Sequence, residues 1–179
     1  MGTDTDAVLA KVIRVFARDR GASMGTIASR VGVSRATLVR LYATREGMVA
    51  AMASQILADC ERVLDEARLD EAPAHEALGV LVRDYAAFAQ LWSVVYVEPE
   101  VLGSRELSAA ADDVVERITA FVTRGQESGF FRADMPATWL ASTLCALAEA
   151  AWELVGDGHM GARQAPDFIA TILLRGGSA

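Results

Sequence analysis

Apolar positions recur at intervals of three and four through nearly the whole chain, which is the spacing of helices that bury one stripe. Leu9, Val12, Ile13 and Phe16 mark the inner face of a first helix, ended by Gly21 and Ala22. Ser23 is placed to cap a short second helix carrying Ile27, Ala28 and Val31, which stops at Gly32. Ser34 is placed to cap a third, with Leu38, Leu41 and Tyr42 on its inner face. Met48, Met52, Ile56, Cys60, Val63 and Ala67 predict a long helix from Glu46 to Leu69. Beyond Ala72 and Pro73, the run Leu78, Leu81, Val82, Tyr85, Phe88, Ala89 and Trp92 predicts another, finished by Pro99. Leu107, Ala111, Val114, Ile118 and Phe121 trace a further helix closed by Gly129, Pro136 opens the next, and Pro166 opens a last one holding Phe168, Ile169, Ile172 and Leu173. Sustained alternation is missing, so the expected fold is all-α.

The second and third helices have the spacing of a helix-turn-helix. Ala28 is small where the two would cross, Gly32 can take the positive φ of a tight turn, and Val31, Val33 and Leu38 pack the corner. The opposite face of the third helix then presents Arg35, Ala36, Thr37, Val39 and Arg40, small or cationic groups suited to a major groove.

Charge supports that division of labour. The net charge of -7 argues at first against a polyanionic partner, since phosphate binding depends on Lys and Arg. Residues 1–50, however, hold eight basic and four acidic side chains, a net of +4, and the rest carry nine and twenty, a net of -11. A small basic head and a larger acidic body are implied. With 53% apolar and 23% charged residues, the 179-residue chain can bury a real core. Cys60 and Cys145 have no nearby histidine and suggest neither a metal site nor a disulfide framework, and no cofactor motif is present. Only His75 and His159 are available to an enzyme, both in loop-like settings, and no catalytic grouping is suggested. No run is long enough to span a bilayer and no leader pattern is seen, so a cytoplasmic protein without a membrane partner is expected.

The head resembles that of the tetracycline-repressor (TetR) family of one-component regulators. That family's pattern runs Thr-x-x-x-Ile-Ala-x-x-Ala-Gly-Val-Ser-x-Gly-Thr-Leu-Tyr-x-x-Phe-x-x-Lys-Glu-x-Leu after a helix ending in phenylalanine. Phe16, Ile27, Ala28, Gly32, Val33, Ser34, Thr37, Leu38, Glu46 and Met48 stand in register, with Ser23, Tyr42 and Arg45 as close substitutes. The stretch from Gly129 to Asp134 before a Pro-led helix is similar to the family's entry to its dimerising helices. Three positions depart: Val39 replaces a usual tyrosine, Ala36 a common glycine, and the connection from Phe16 to Ile27 is shorter than typical.

The resemblance implies a helix-turn-helix DNA-binding domain over residues 1–46 and a helical ligand-binding and dimerisation domain over 47–179. The long helix would join them. It implies a homodimer bound to double-stranded DNA at a palindromic operator, most simply a repressor released by a small-molecule effector. Ser23 and Arg45 would meet phosphates and Arg35 and Arg40 base edges, with Ser34, Ala36, Thr37 and Tyr42 completing the DNA-binding set. Tyr85, Phe88, Trp92, Tyr96, Phe121 and Trp152 offer the surface for an aromatic or lipophilic ligand, and also the surface of an ordinary core.

The segment 139–155 is apolar nearly all round, broken only by Ser142, Thr143, Glu149 and Glu153. It needs cover on more than one side, from a second chain in a four-helix interface or from the centre of a monomeric bundle. Glu149 and Glu153 would face a cationic ligand, an arginine of a second chain, or solvent. A helical ligand-binding protein with little or no DNA binding is the competing reading, favoured by Val39 and the acidic total.

Overall fold

The computed structural model describes residues 5–85, 91, 92 and 95–176, and of Tyr85 only the backbone. The described residues form helices and no strand. They divide into two compact units, one of Met1–Ile56 with Leu91–Ser108, the other of Leu57–Gln90 with Ala109–Ala179.

In the first unit, α1 (Thr5–Arg18) buries Val8, Leu9, Val12, Ile13 and Phe16, the stripe that its periodicity requires. Helices α2 (Met24–Val31) and α3 (Arg35–Tyr42) are eight residues each and start with the same device. Ser23 Oγ accepts from the Thr26 amide at 3.1 Å and Ser34 Oγ from the Thr37 amide at 3.0 Å. In both caps the serine and threonine hydroxyls lie 2.9 Å apart. Gly32 ends α2 at φ 84°, and its N–H and that of Val33 both reach the Ala28 carbonyl at 3.0 Å.

Helix α4 (Arg45–Glu66) follows a sharp corner: Ala43 has φ 59°, and the Thr44 amide donates to the Tyr42 carbonyl at 2.7 Å. Its first turn comes so close to the end of α3 that a Cβ on Gly47 would lie 2.3 Å from the Tyr42 carbonyl oxygen. Ile27, Leu38, Met48, Val49 and Met52 are fully buried and form the seat on which the short helices rest. Pro99 does not finish a helix here. With φ fixed and no amide hydrogen to spare, it opens the short α6 (Pro99–Leu102), which buries Val101.

In the second unit α4 ends at Glu66, before the predicted Leu69, because Arg68 turns left-handed at φ 50° and the Ala72 amide closes back on the Arg68 carbonyl at 2.8 Å. Helix α5 (Ala74–Val80) runs into a widened π-helical stretch, Leu81–Tyr85, in place of continuous α-helix. Helix α7 (Arg105–Glu127) turns into α8 (Ala137–Gly156) at a corner where Phe131 meets Phe121 edge to face, ring centroids 5.4 Å apart. The Phe130 and Phe131 amides donate to the Gly125 carbonyl at 2.8 and 3.1 Å, and Gln126 Nε2 donates to the carbonyls of Arg132 and Met135, each at 2.8 Å. Helix α9 (Ala165–Arg175) packs on α8, α5 and the π-helical stretch.

Helix α8 buries only one stripe, Leu140, Ala141, Leu144, Ala148 and Ala151. Its other side leaves Trp139 62% and Leu154 41% exposed, and α9 leaves Phe168 48% and Ile172 53% exposed. Among the described residues no helix is long and apolar enough to cross a membrane.

Replacing Gly47 by alanine forces the corner between α3 and α4 to open, because the obstructing atom is backbone. A loss of about 2 kcal/mol in urea unfolding is expected, and an unchanged midpoint would show that the corner adjusts freely.

Candidate functional site

The helix-turn-helix leaves one face of α3 to solvent. Leu38 and Tyr42 point inward, whereas Ser34, Arg35, Ala36 and Arg40 are exposed, Val39 is 38% exposed and Thr37 is half-buried. The turn at Gly32 brings the starts of α2 and α3 together. The Arg35 side chain runs beside Gly25, whose projected Cβ would sit 4.0 Å from Arg35 Cδ and 3.7 Å from Ser23 Oγ. Ser23 and Arg35 therefore flank one helix N-terminus, where first-turn amides without helical acceptors favour an anion. Four of the expected groups, Ser23, Ser34, Arg35 and Arg40, are gathered on one exposed side of a small rigid frame.

Two expected contacts are placed elsewhere. Tyr42 is 8% exposed, its hydroxyl is shut away with no hydrogen-bond partner among the described residues, and burial, helped by the nearby Asp6 charge, pushes its phenol above the ordinary value. It belongs to the core of the head, since the Leu38 side of α3 faces inward. Arg45 is also turned inward. Its guanidinium donates to the Ala22 carbonyl at 3.1 Å and to the Arg20 carbonyl at 2.5 Å, and lies 5.0 Å over the Phe16 ring. It fastens the turn between α1 and α2 to the start of α4. Nothing in the sequence distinguished that use from a phosphate contact, because both want a cation at the same helix end.

A second charged cluster meets this clamp. Arg20 donates to Glu98 Oε1 from Nε at 3.3 Å and from Nη2 at 2.9 Å, and Arg45 comes within 4.0 Å of Glu98 Oε2. The Glu98 side chain is only 13% exposed. The sequence reading missed Glu98, since a link between residues 78 positions apart leaves no local signal.

The described members of the expected ligand set have different settings within their own units. Phe88 and the side chain of Tyr85 lie outside the described residues. Trp92 and Tyr96 pair in the first unit, ring centroids 5.9 Å apart, with Tyr96 50% exposed. Phe121 is core of the second unit at 1% exposure. Among the described side chains of this set, Trp152 alone lines a cavity of about 690 Å³ in the second unit, with Leu78, Val82, Phe130, Pro166 and Leu174 as apolar walls. Arg83, Arg163, His75 and Asp167 also line it, and Arg83 is held by Asp84 at 2.7 Å. The volume is that of a small-molecule site. The indole N–H of Trp152 is buried without a partner among the described residues. Cys60 is buried and its thiol is pushed up to about 12 by burial, which keeps it protonated and inert.

No family model matches the chain. It is 29% identical over 170 residues to the HTH-type transcriptional repressor LfrR of Mycolicibacterium smegmatis, an alignment covering 95% of this chain and 88% of the relative. It is 30% identical over 135 residues to the HTH-type transcriptional regulator NfxB of Pseudomonas aeruginosa, covering 74% and 72%. The crystal structure of the TetR-like regulator LfrR from Mycobacterium smegmatis in complex with proflavine matches 98% of this chain and 97% of its own, with a TM-score of 0.79 and 28% identity. The structure of AibR in complex with isovaleryl coenzyme A and operator DNA shares the fold alone, at 16% identity and a TM-score of 0.75 over 95% of this chain and 97% of that one.

The inward and outward arginines differ in a measurable way. Arg45→Ala is expected to lower unfolding stability by about 1–2 kcal/mol, whereas Arg35→Ala and Arg40→Ala leave it within about 0.5 kcal/mol. Equal losses at all three positions in thermal or urea unfolding would remove the distinction.

Proposed function

The chain belongs to the TetR family of helix-turn-helix transcriptional regulators, and on that premise we propose that it is a homodimeric repressor released from a palindromic operator by a small molecule held in its second unit. The observation that carries the DNA half is the exposed face of α3, with Arg35 and Arg40 on a doubly capped frame. In this reading each guanidinium takes a base edge, worth about 1–3 kcal/mol of discrimination when bidentate on guanine. Ser23, Ser34, Thr37 and the first-turn amides take phosphate oxygens, and Ala36 leaves room for a thymine methyl.

The apolar surface of Trp139 and Leu154 on α8 and of Phe168 and Ile172 on α9 supports pairing with a second copy. Two helices from each chain then make a four-helix interface. Glu149 and Glu153, exposed on α8, meet solvent or a cation of the second copy. Two heads so joined must enter major grooves about 34 Å apart, which is why the operator is read as palindromic.

The cavity beside Trp152 is the seat of an aromatic or lipophilic effector, and LfrR in complex with proflavine supplies the first compound to try. An effector that prefers the state with wrongly spaced heads weakens DNA binding, and by linkage DNA weakens effector binding by the same factor.

Fluorescence anisotropy with duplexes from the DNA beside the chain's own gene tests the reading. Affinity should fall steeply with salt and drop by about tenfold in Arg35→Ala. Weak, salt-independent binding to every duplex would leave a helical ligand-binding protein instead. Ile172→Asp should shift sedimentation from dimer to monomer, and proflavine should release the bound duplex from the unmodified protein.

A further inference from the structure

We infer that Glu98 is a positioning residue for DNA recognition: it holds the turn ahead of α2 through Arg20 and Arg45, and so sets how α2 and α3 are presented. The inference rests on the DNA-binding reading above and adds to it the residue on which the presentation depends.

The argument starts from burial. A carboxylate that is 13% exposed needs cationic or hydrogen-bonding partners, and Glu98 has two guanidiniums, at 2.9 and 4.0 Å. Both arginines bear on the same few residues. Arg20 lies in the turn between α1 and α2, and Arg45 donates to the carbonyls of Arg20 and Ala22. The next residue is Ser23, whose side chain caps α2 and which flanks Arg35 across Gly25. Glu98 thus acts two steps from the exposed face: carboxylate to guanidinium, guanidinium to the backbone that places the cap.

Glu98 stands at the N-cap of α6 in Leu91–Ser108, a segment that packs in the first unit although the chain on either side of it belongs to the second. Its neighbour Glu100 has a carboxylate oxygen that is buried without a hydrogen-bond partner among the described residues. One carboxylate therefore favours the docked position of the segment, while its neighbour makes that position costly. An element held by such opposed terms can be shifted by a modest change in either.

The test uses the full-length chain and the duplex it binds most tightly from the DNA beside its own gene, against a random duplex of equal length. Glu98→Gln removes a negative charge next to two guanidiniums, so affinity for the random duplex should hold or rise. The preference for the specific duplex should fall by about tenfold. Arg20→Gln should lower that preference too, the double variant should be no worse than Glu98→Gln alone, and the swap Arg20→Glu with Glu98→Arg should restore part of it. A preference unchanged in Glu98→Gln, or additive losses with no recovery in the swap, would overturn the inference. If the unmodified chain prefers no duplex, the DNA-binding reading itself has failed, which is a separate result.

Discussion

An eight-residue helix does not persist alone in water, because nucleation costs more than two turns of hydrogen bonds return. Everything that α3 can do therefore depends on how firmly it is seated. Three kinds of support reach it: the serine caps that satisfy first-turn amides, the buried seat of Ile27, Leu38, Met48 and Met52, and the Gly47 corner that brings α4 against the end of α3. Arg45 adds a fourth by tying the α1–α2 turn to the start of α4. The two cations of α3, Arg35 and Arg40, stay outward and are not used by the frame.

The second unit solves a different problem. Its two longest helices, α7 and α8, run to 23 and 20 residues, and its core of Ile118, Phe121, Val122 and Leu144 is fully buried. What it leaves unresolved is surface, with large apolar side chains exposed along α8 and α9 and a cavity open beside Trp152. Apolar exposure of that extent is costly for a solitary chain and useful to one that pairs. The acidic balance beyond residue 50 would keep such a surface soluble while leaving nucleic acid to the basic head.

Much of the head was legible because its signals are local. Ser23, Gly32 and Ser34 announce caps and a turn within one another's reach, and the structure uses each in that way. The exposure of Arg35 and Arg40 followed from the inward stripe of Leu38 and Tyr42. The same stripe put Tyr42 out of reach of a groove, which a motif match at that position could not convey. Arg45 and Glu98 were illegible for a stronger reason: their roles exist only once distant segments meet. Pro99 was misjudged because proline ends one helix and begins the next with equal ease. The aromatic set was less legible, since helical spacing brings residues to one face of one helix and says nothing of which cavity that face borders. Trp152 and Phe121 carry the same pattern, yet one lines a cavity and the other is core.

The corner between α7 and α8 carries a consequence for motion. A hinge needs backbone groups free to exchange partners as φ and ψ change. Here the Gly125 carbonyl takes two amides, Gln126 grips two loop carbonyls, and Phe131 is wedged against Phe121. These two helices consequently travel as a single bracket. Flexing within that unit is left to connections whose backbone is less tied, and an insertion at residues 129–135 would be tolerated less well than its surface setting suggests.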